Sequence, residues 1–195
     1  MNATSTMKVK QAMNGVEVQR LFDTIDAVKQ MPEAAKFRFR ATNRWMDGGH
    51  NRSTIRNFYG ACEEHTDRKK TFEFDNDEPD VLLGQDNGAN PVEYLLHALA
   101  GCVTTSFIYH AAARGIRIEA LESELEGDID LHGFLGLSED KHSGYEQIRV
   151  KFRVKSDAPI GELQKLVQYA KFRSPVFSTV TNAVPVEIIM NAMES

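Results

Sequence analysis

The stretch Asn90-Pro91-Val92-Glu93-Tyr94-Leu95-Leu96-His97-Ala98-Leu99-Ala100-Gly101-Cys102 decides the fold. Asn90 is a favoured N-cap, and Pro91 follows at the first helical position, where its missing N–H costs nothing. Glu93 stands three residues after the cap, the spacing of a capping box. Apolar residues then come too densely for one stripe: Tyr94, Leu95, Leu96, Ala98, Leu99, Ala100, Val103, Phe107, Ile108 and Tyr109. A helix apolar nearly all round is a buried central helix. Gly115, after Arg114, is its natural stop. Cys102 lies in the middle of this helix.

Upstream, Val18, Leu21, Phe22, Ile25 and Val28 are spaced for a helix over 16–30, ended by Pro32. It reads as a packing or dimer-contact helix in an N-terminal extension, residues 1–35, whose first 13 residues are polar and frayed. From Lys36 the period changes to two. Phe37, Phe39 and Ala41 alternate with Arg38, Arg40 and Thr42, Asp47-Gly48-Gly49 is a turn, and 54–62 is the returning strand. A third short strand over 70–74 completes an antiparallel meander. The Asp75–Asn90 loop, rich in Asp, Asn, Gly and Pro, leads into the cap of the central helix, and loops of that length tend to be functional.

Downstream, 117–131 alternates as a long strand, 133–144 is a loop, and 145–155 alternates cleanly. A helix over 159–172 has Ile160, Leu163, Leu166, Val167 and Ala170 on one face. Ser174-Pro175 breaks it, 176–180 is a short turn or helix, and 184–190 is a last strand. The order α-βββ-α-ββ-α-β predicts an α+β domain over 36–195, with antiparallel sheets around the central helix.

Composition narrows the function. The chain has 195 residues, long enough to bury a core alone, and a net charge of −5, which argues against nucleic acid. The first residues lack the apolar core of a signal peptide, and the longest apolar run is too short for a membrane span and carries His97. No membrane partner is expected. Two cysteines, Cys62 and Cys102, make no disulfide framework and suggest a reducing cytoplasm. Neither a metal nor a cofactor is expected. His97 is about 140° around the helix from Cys102, and with His110 it makes no ligand set. Glu122, Glu124, Glu126, Asp128 and Asp130 alternate along one strand as a solvated face. There is no Gly-rich phosphate loop. His50 with Arg52, in the hairpin turn, could line the mouth of a site.

Cys102 is the candidate nucleophile. A thiol reacts as thiolate, which needs a nearby cation or a helix N-terminus. Cys102 sits about three turns into its helix, beyond the reach of the dipole, so a cation must come from elsewhere in the fold. The competing reading is a small buried apolar residue, the common state of free cysteine.

The Gly-x-Asn-Pro opening, the acid near the Pro and the Cys within a buried Ala-rich helix resemble the family of osmotically inducible protein C and the organic hydroperoxide resistance proteins (OsmC/Ohr). The resemblance covers about 36–190. It implies an α+β fold in which two chains intertwine as a homodimer, central helices back to back and the site at the interface. It implies that Cys102 is the peroxidatic cysteine, held by a hairpin Arg and a Glu at the helix start. The Arg falls on Arg52, with Arg44 the second choice. The acid of the family follows Asn-Pro directly, where this chain has Val92. Glu93 comes one residue later, so pairing with Arg52 and capping the helix are both open readings. The resolving Cys-Pro-Val of the family is here Ser174-Pro175-Val176. A serine forms no disulfide, and Cys62, read as a mid-strand packing residue, replaces it only if its strand reaches Cys102.

Two functions from different classes follow. The first is a one-Cys, thiol-dependent reductase of organic hydroperoxides, with Cys102 as nucleophile, Arg52 as thiolate partner and an external thiol as reductant. The second is a non-peroxidase homodimer that binds a small apolar ligand or senses redox state. Cys102 and the hairpin Arg favour the first; Ser174 and Val92 favour the second.

Overall fold

The structure, a computed structural model, describes residues 12–192. The fraying expected of residues 1–13 lies outside them as far as residue 11, and Ala12 and Met13 are instead paired in a strand. The chain opens with a tight hairpin, β1 (Ala12–Met13) and β2 (Val16–Glu17), before helix α1 (Val18–Gln30). Its turn, Asn14-Gly15, has φ of 54° and 77°, the positive angles that Asn and Gly tolerate best. Helix α1 therefore starts two residues later than its apolar spacing suggests. The Asn14 side chain donates to the Ile116 carbonyl at 2.9 Å and accepts from the Ile118 N–H at 2.9 Å, docking this end onto the chain just past the central helix.

The meander is more divided than its alternation predicts. It runs through β3 (Arg38–Phe39), β4 (Thr42–Asp47), β5 (His50–Ile55), β6 (Phe58–Gly60), β7 (Glu63–His65) and β8 (Phe72–Asn76). These make two three-stranded antiparallel sheets, β3-β6-β7 and β4-β5-β8. The returning strand begins at His50 rather than at 54 and is interrupted at 56–57. The sheets are separate because both arms of one long hairpin break, at 40–41 and at 56–57.

Helix α2 (Pro91–Ala113) forms as its ends dictate. The Val92 N–H donates to Asn90 Oδ1 at 2.9 Å and the Asn90 N–H to Glu93 Oε2 at 2.9 Å, a complete capping box. Gly115, at φ 69°, ends it. Strands β9 (Ala120–Ile129) and β10 (Tyr145–Lys155) pair antiparallel, with a bulge near Tyr145. Between them, residues expected as loop begin with a single helical turn, α3 (Leu131–Phe134). Helices α4 (Ile160–Phe172) and α5 (Pro175–Thr181) follow.

The core packs Phe107 and Ala111 of α2 against Leu163, Leu166 and Ala170 of α4, closed by Ile118, Leu121 and Val154, and Leu99 and Val103 continue the buried stripe of α2 at i, i+4 spacing. Three expectations are corrected here. The central helix is not buried all round within one chain: Leu95 and Tyr109 are 39% and 48% exposed, because no other element of the same chain covers that face. With 23 residues, α2 is also long and apolar enough by length and composition to cross a membrane, more than the run interrupted by His97 suggests. In this fold it carries the core. The expected last strand, 184–190, makes no ladder among the described residues, and Ile188 is 91% exposed. A strand needs a partner edge for its N–H and C=O groups, and the chain brings none to it.

Candidate active site

The hairpin supplies a held arginine. Arg52 lies mid-strand on β5, directly across from Arg44 of β4 on one side and Asp75 of β8 on the other. Its Nε and Nη2 donate to the two oxygens of Asp75 at 2.9 and 3.0 Å, the bidentate geometry that fixes a guanidinium plane. His50 Nε2 lies 2.9 Å from Asp75 Oδ1. These two partners, Arg52 first, hold the Asp75 carboxyl below the usual carboxylate range, and Asp75 in turn raises the Arg52 guanidinium above its ordinary value. Of the two candidate arginines, Arg52 is the one with an acid partner among the described residues.

The loop that follows is built on a residue the sequence did not flag. Asp77, 2% exposed, accepts from the N–H groups of Glu78 (2.8 Å), Gln85 (3.2 Å) and Asn87 (3.1 Å) and from Asn87 Nδ2 (2.7 Å). These donors, Asn87 foremost, draw its carboxyl down to about 2. The side chain of Asn90 donates to the Glu78 carboxylate, joining the loop to the helix cap. The fold leaves no space at two glycines: a Cβ on Gly84 would sit 1.7 Å from the Glu78 carbonyl oxygen, and one on Gly88 2.1 Å from that of Asp75. The run of Asp, Asn and Gly was the available signal. Its composition marked a tight polar loop without saying which Asp would be its hub.

Two tyrosines seat this apparatus on the Cys helix. Tyr94 Oη donates to the Asp75 carbonyl at 2.9 Å, and Tyr145 Oη to the Val92 carbonyl at 2.9 Å. The strand that carries Asp75 is thus tied to the first turn of α2. Cys102 is eight residues beyond Tyr94, about 12 Å along the axis. It is half-buried with a free thiol. Among the described residues no hydrogen bond or ion pair joins Cys102, Arg52 and Glu93, and the Glu93 carboxylate is engaged at the helix cap. One chain therefore carries the three residues expected from the sequence on one helix and on the sheet tied to it, without direct contact between them among the described residues.

The residue in the resolving place has a structural role. Ser174, 1% exposed, accepts the Phe177 N–H on Oγ at 3.2 Å and so caps α5. Ser106, one turn beyond Cys102, donates to the Ala170 carbonyl at 2.8 Å, tying the Cys-bearing helix to the end of α4. Cys62 is not mid-strand, as expected, but exposed in the β6–β7 turn at φ 67°. The turn puts it in solvent instead of the packing the sequence suggested. His110 meets the Tyr169 ring edge-on with centroids 4.7 Å apart, and burial lowers its proton affinity. Between α2, β10, α4 and α5, Val103, Phe107, Phe152, Val167 and Phe177, with Gln168 and Lys171, line a mainly apolar hollow of about 220 Å³.

A family profile described as OsmC-like protein matches residues 84–189. No curated protein matches the chain. Among solved structures, an OsmC-like protein from Mycoplasma pneumoniae is 18% identical, covering 73% of this chain and 86% of its own, with a TM-score of 0.57. An organic hydroperoxide resistance protein OsmC from Legionella pneumophila is 16% identical over 74% and 89%, with a TM-score of 0.53. An OsmC-like protein of unknown function from Vibrio cholerae is 15% identical over 78% and 99%, with a TM-score of 0.52. At these identities the likeness is one of fold: an α+β arrangement of antiparallel sheets and helices around the helix that carries Cys102. The profile spans more than half of the sequence and includes that helix from cap to end, and the chain belongs to the OsmC-like protein family.

Proposed function

We propose that the protein is a one-Cys, thiol-dependent reductase of organic hydroperoxides, with Cys102 as nucleophile and Arg52 as its cationic partner. The observation that carries this reading is the Arg52 fork, fixed beside the first turn of the helix that holds a free, half-buried cysteine. In the reaction the Cys102 thiolate attacks the outer peroxide oxygen. The S–O bond forms as the O–O bond breaks, leaving sulfenic acid on Cys102 and an alkoxide that takes a proton to become the alcohol. Cysteine is oxidised by two electrons and the peroxide reduced by two. An external thiol then displaces water to form a mixed disulfide, and a second external thiol releases reduced Cys102 and carries the disulfide away. Ser174, which caps α5, leaves resolution to that external thiol. Glu93, at the helix start, serves the cap of α2.

The active unit in this reading is a homodimer. The chain exposes 15442 Å², where a compact monomer of 21.9 kDa exposes roughly 9,300 Å². The fourteen residues outside the described range account for about 2,300 Å² even as fully unfolded chain. The remaining excess, on the order of 4,000 Å², suits an obligate interface. The uncovered face of α2 and the unpaired 184–190 segment are where a second copy would supply cover. A second copy packed on α2 also offers a way to bring an Arg52 fork to a Cys102. Residues 36–195 form the catalytic domain in this reading, residues 1–35 are an added segment, and two free thiols suit a reducing cytoplasm.

The test is reduced protein with a small excess of cumene hydroperoxide, followed by intact mass and dimedone trapping, beside Cys102→Ser and Cys62→Ser. Rapid, stoichiometric sulfenate that vanishes in Cys102→Ser is expected. Reaction no faster than that of an ordinary buried thiol would overturn the peroxidase. It would leave a dimer that binds a small apolar ligand, a reading favoured by the 220 Å³ hollow and by Ser174.

A further inference from the structure

We infer that Asp75, rather than Glu93, is the carboxylate that positions Arg52 for its work on Cys102. The inference rests on the peroxidase reading and names a positioning residue within it. Three observations carry it. The Glu93 carboxylate is already committed to the Asn90 N–H at 2.9 Å, and losing that bond would open the cap of the helix that carries Cys102. Asp75 grips Arg52 through both of its oxygens, from the neighbouring strand and in direct cross-strand register, so the guanidinium plane is set by two parallel bonds. Asp75 is itself braced: His50 meets Oδ1 at 2.9 Å, and the Tyr94 hydroxyl holds its carbonyl at 2.9 Å.

The geometry also leaves Arg52 the means to act. Nε and one N–H of Nη2 serve Asp75, and Nη1 has no partner among the described residues. The far edge of the guanidinium therefore keeps donors for a thiolate or a peroxide oxygen. An arginine without this clamp would sample many rotamers, and misplacement by about an ångström costs on the order of a hundredfold in a reaction that depends on alignment. The strand next to the arginine supplies the carboxylate.

The test compares Asp75→Asn, Asp75→Glu, Glu93→Gln and Arg52→Ala, with Asp75→Asn/Arg52→Ala as the double variant, in the full chain. Two rates are followed across pH: sulfenate formation at Cys102 with cumene hydroperoxide, and iodoacetamide alkylation of Cys102 read by peptide mass. Asp75→Asn is expected to slow sulfenate formation about ten- to a hundredfold and to shift the pH profile of alkylation. Asp75→Glu should recover most of the rate. Glu93→Gln should keep it within about twofold while lowering the melting temperature. In the double variant the Asp75 change should add nothing to the loss from Arg52→Ala, the mark of one residue acting through the other. Additive losses, a wild-type rate and pH profile in Asp75→Asn, or a loss in Glu93→Gln that matches Arg52→Ala would each overturn the assignment. If Asp75→Asn does not fold, Asp75→Glu and Arg52→Lys still decide, because lysine keeps the charge and cannot form the fork; full activity in Arg52→Lys would refute the role of the clamp. If wild-type protein forms no sulfenate, the peroxidase reading fails on that result alone. The alkylation profiles then report separately whether Asp75 acts on Cys102 through Arg52, and identical profiles in wild type, Asp75→Asn and Arg52→Ala would refute it.

Discussion

The two halves of the molecule are held together by different physics. In the helical half, α2 and α4 bury an apolar stripe against the inner face of β9 and β10, and the largest buried side chain is Phe107. In the hairpin half, every residue of β4 is exposed and no side chain of β5 is fully buried. Its order comes from carboxylates: Asp75 clamping Arg52 and Asp77 gathering four donors. Apolar burial is non-directional and sustains a fold. Charge-assisted hydrogen bonds are directional and set the position of a single side chain to within fractions of an ångström. The helical half therefore carries the thiol on a firm support, and the hairpin half holds a single charge in a fixed orientation.

The contrast can be broken most forcefully at Phe107. Phe107→Ala, at 1% exposure, is expected to cost about 3–5 kcal/mol in denaturant unfolding by leaving a cavity where no side chain can follow. A loss below about 1 kcal/mol would mean that the helical half is not the stabilising one. At the junction, Asn90→Ala removes the cap of α2 and is expected to cost about 1 kcal/mol. Because Asn90 also holds Glu78, amide exchange of the loop should quicken in the same variant. If only the helix end responds, the loop and the helix are independent.

The hairpin half should yield to acid before the helical half. The folded Asp77 carboxyl is drawn down to about 2, against an unfolded value of about 3.9. Its stabilisation is complete above pH of about 4 and is lost as pH falls through about 2, because only the ionised form accepts all four donors. Exchange at the Gln85 and Asn87 amides should therefore rise about tenfold across that window while the α2 core amides remain protected. Simultaneous loss of both sets would show one cooperative unit. The smallest effect belongs to the ion-pair ladder on the outer face of β9 and β10. Arg153, which reaches Glu122 at 3.0 Å in open solvent, should tolerate replacement by alanine with a melting shift of no more than about 2 °C.

Legibility in the sequence followed the range of the forces. Asn90, Pro91, Glu93 and Gly115 bound α2, and the structure ends the helix at those signals, because caps are satisfied within one turn of the chain. The clean alternation of 145–155 became β10 residue for residue. The Asn14-Gly15 hairpin turn carried a strong local signal that the polar composition around it obscured. Arg52 was legible as a candidate from its place after the Gly-Gly turn, but Asp75 was not. The two are 23 positions apart and become neighbours only when β5 and β8 pair. Asp77 was hidden for the same reason, since its most distant donor, Asn87, lies ten residues on along a loop with no period to read.

By itself, then, the chain determined its main helices and its long β10 strand, its α+β class, the helix with Cys102 at its middle, and its membership of a family, because caps, turns and hydrophobic period act over a few residues. Tertiary structure alone decided which acid holds Arg52, that Glu93 is engaged as a cap and Ser174 as another, that Cys62 faces solvent, and that one face of α2 and the 184–190 segment remain uncovered. Those outcomes depend on which surfaces meet across dozens of residues. A local pattern can offer several partners to one charge or one apolar face, and only the packing of the whole chain selects among them.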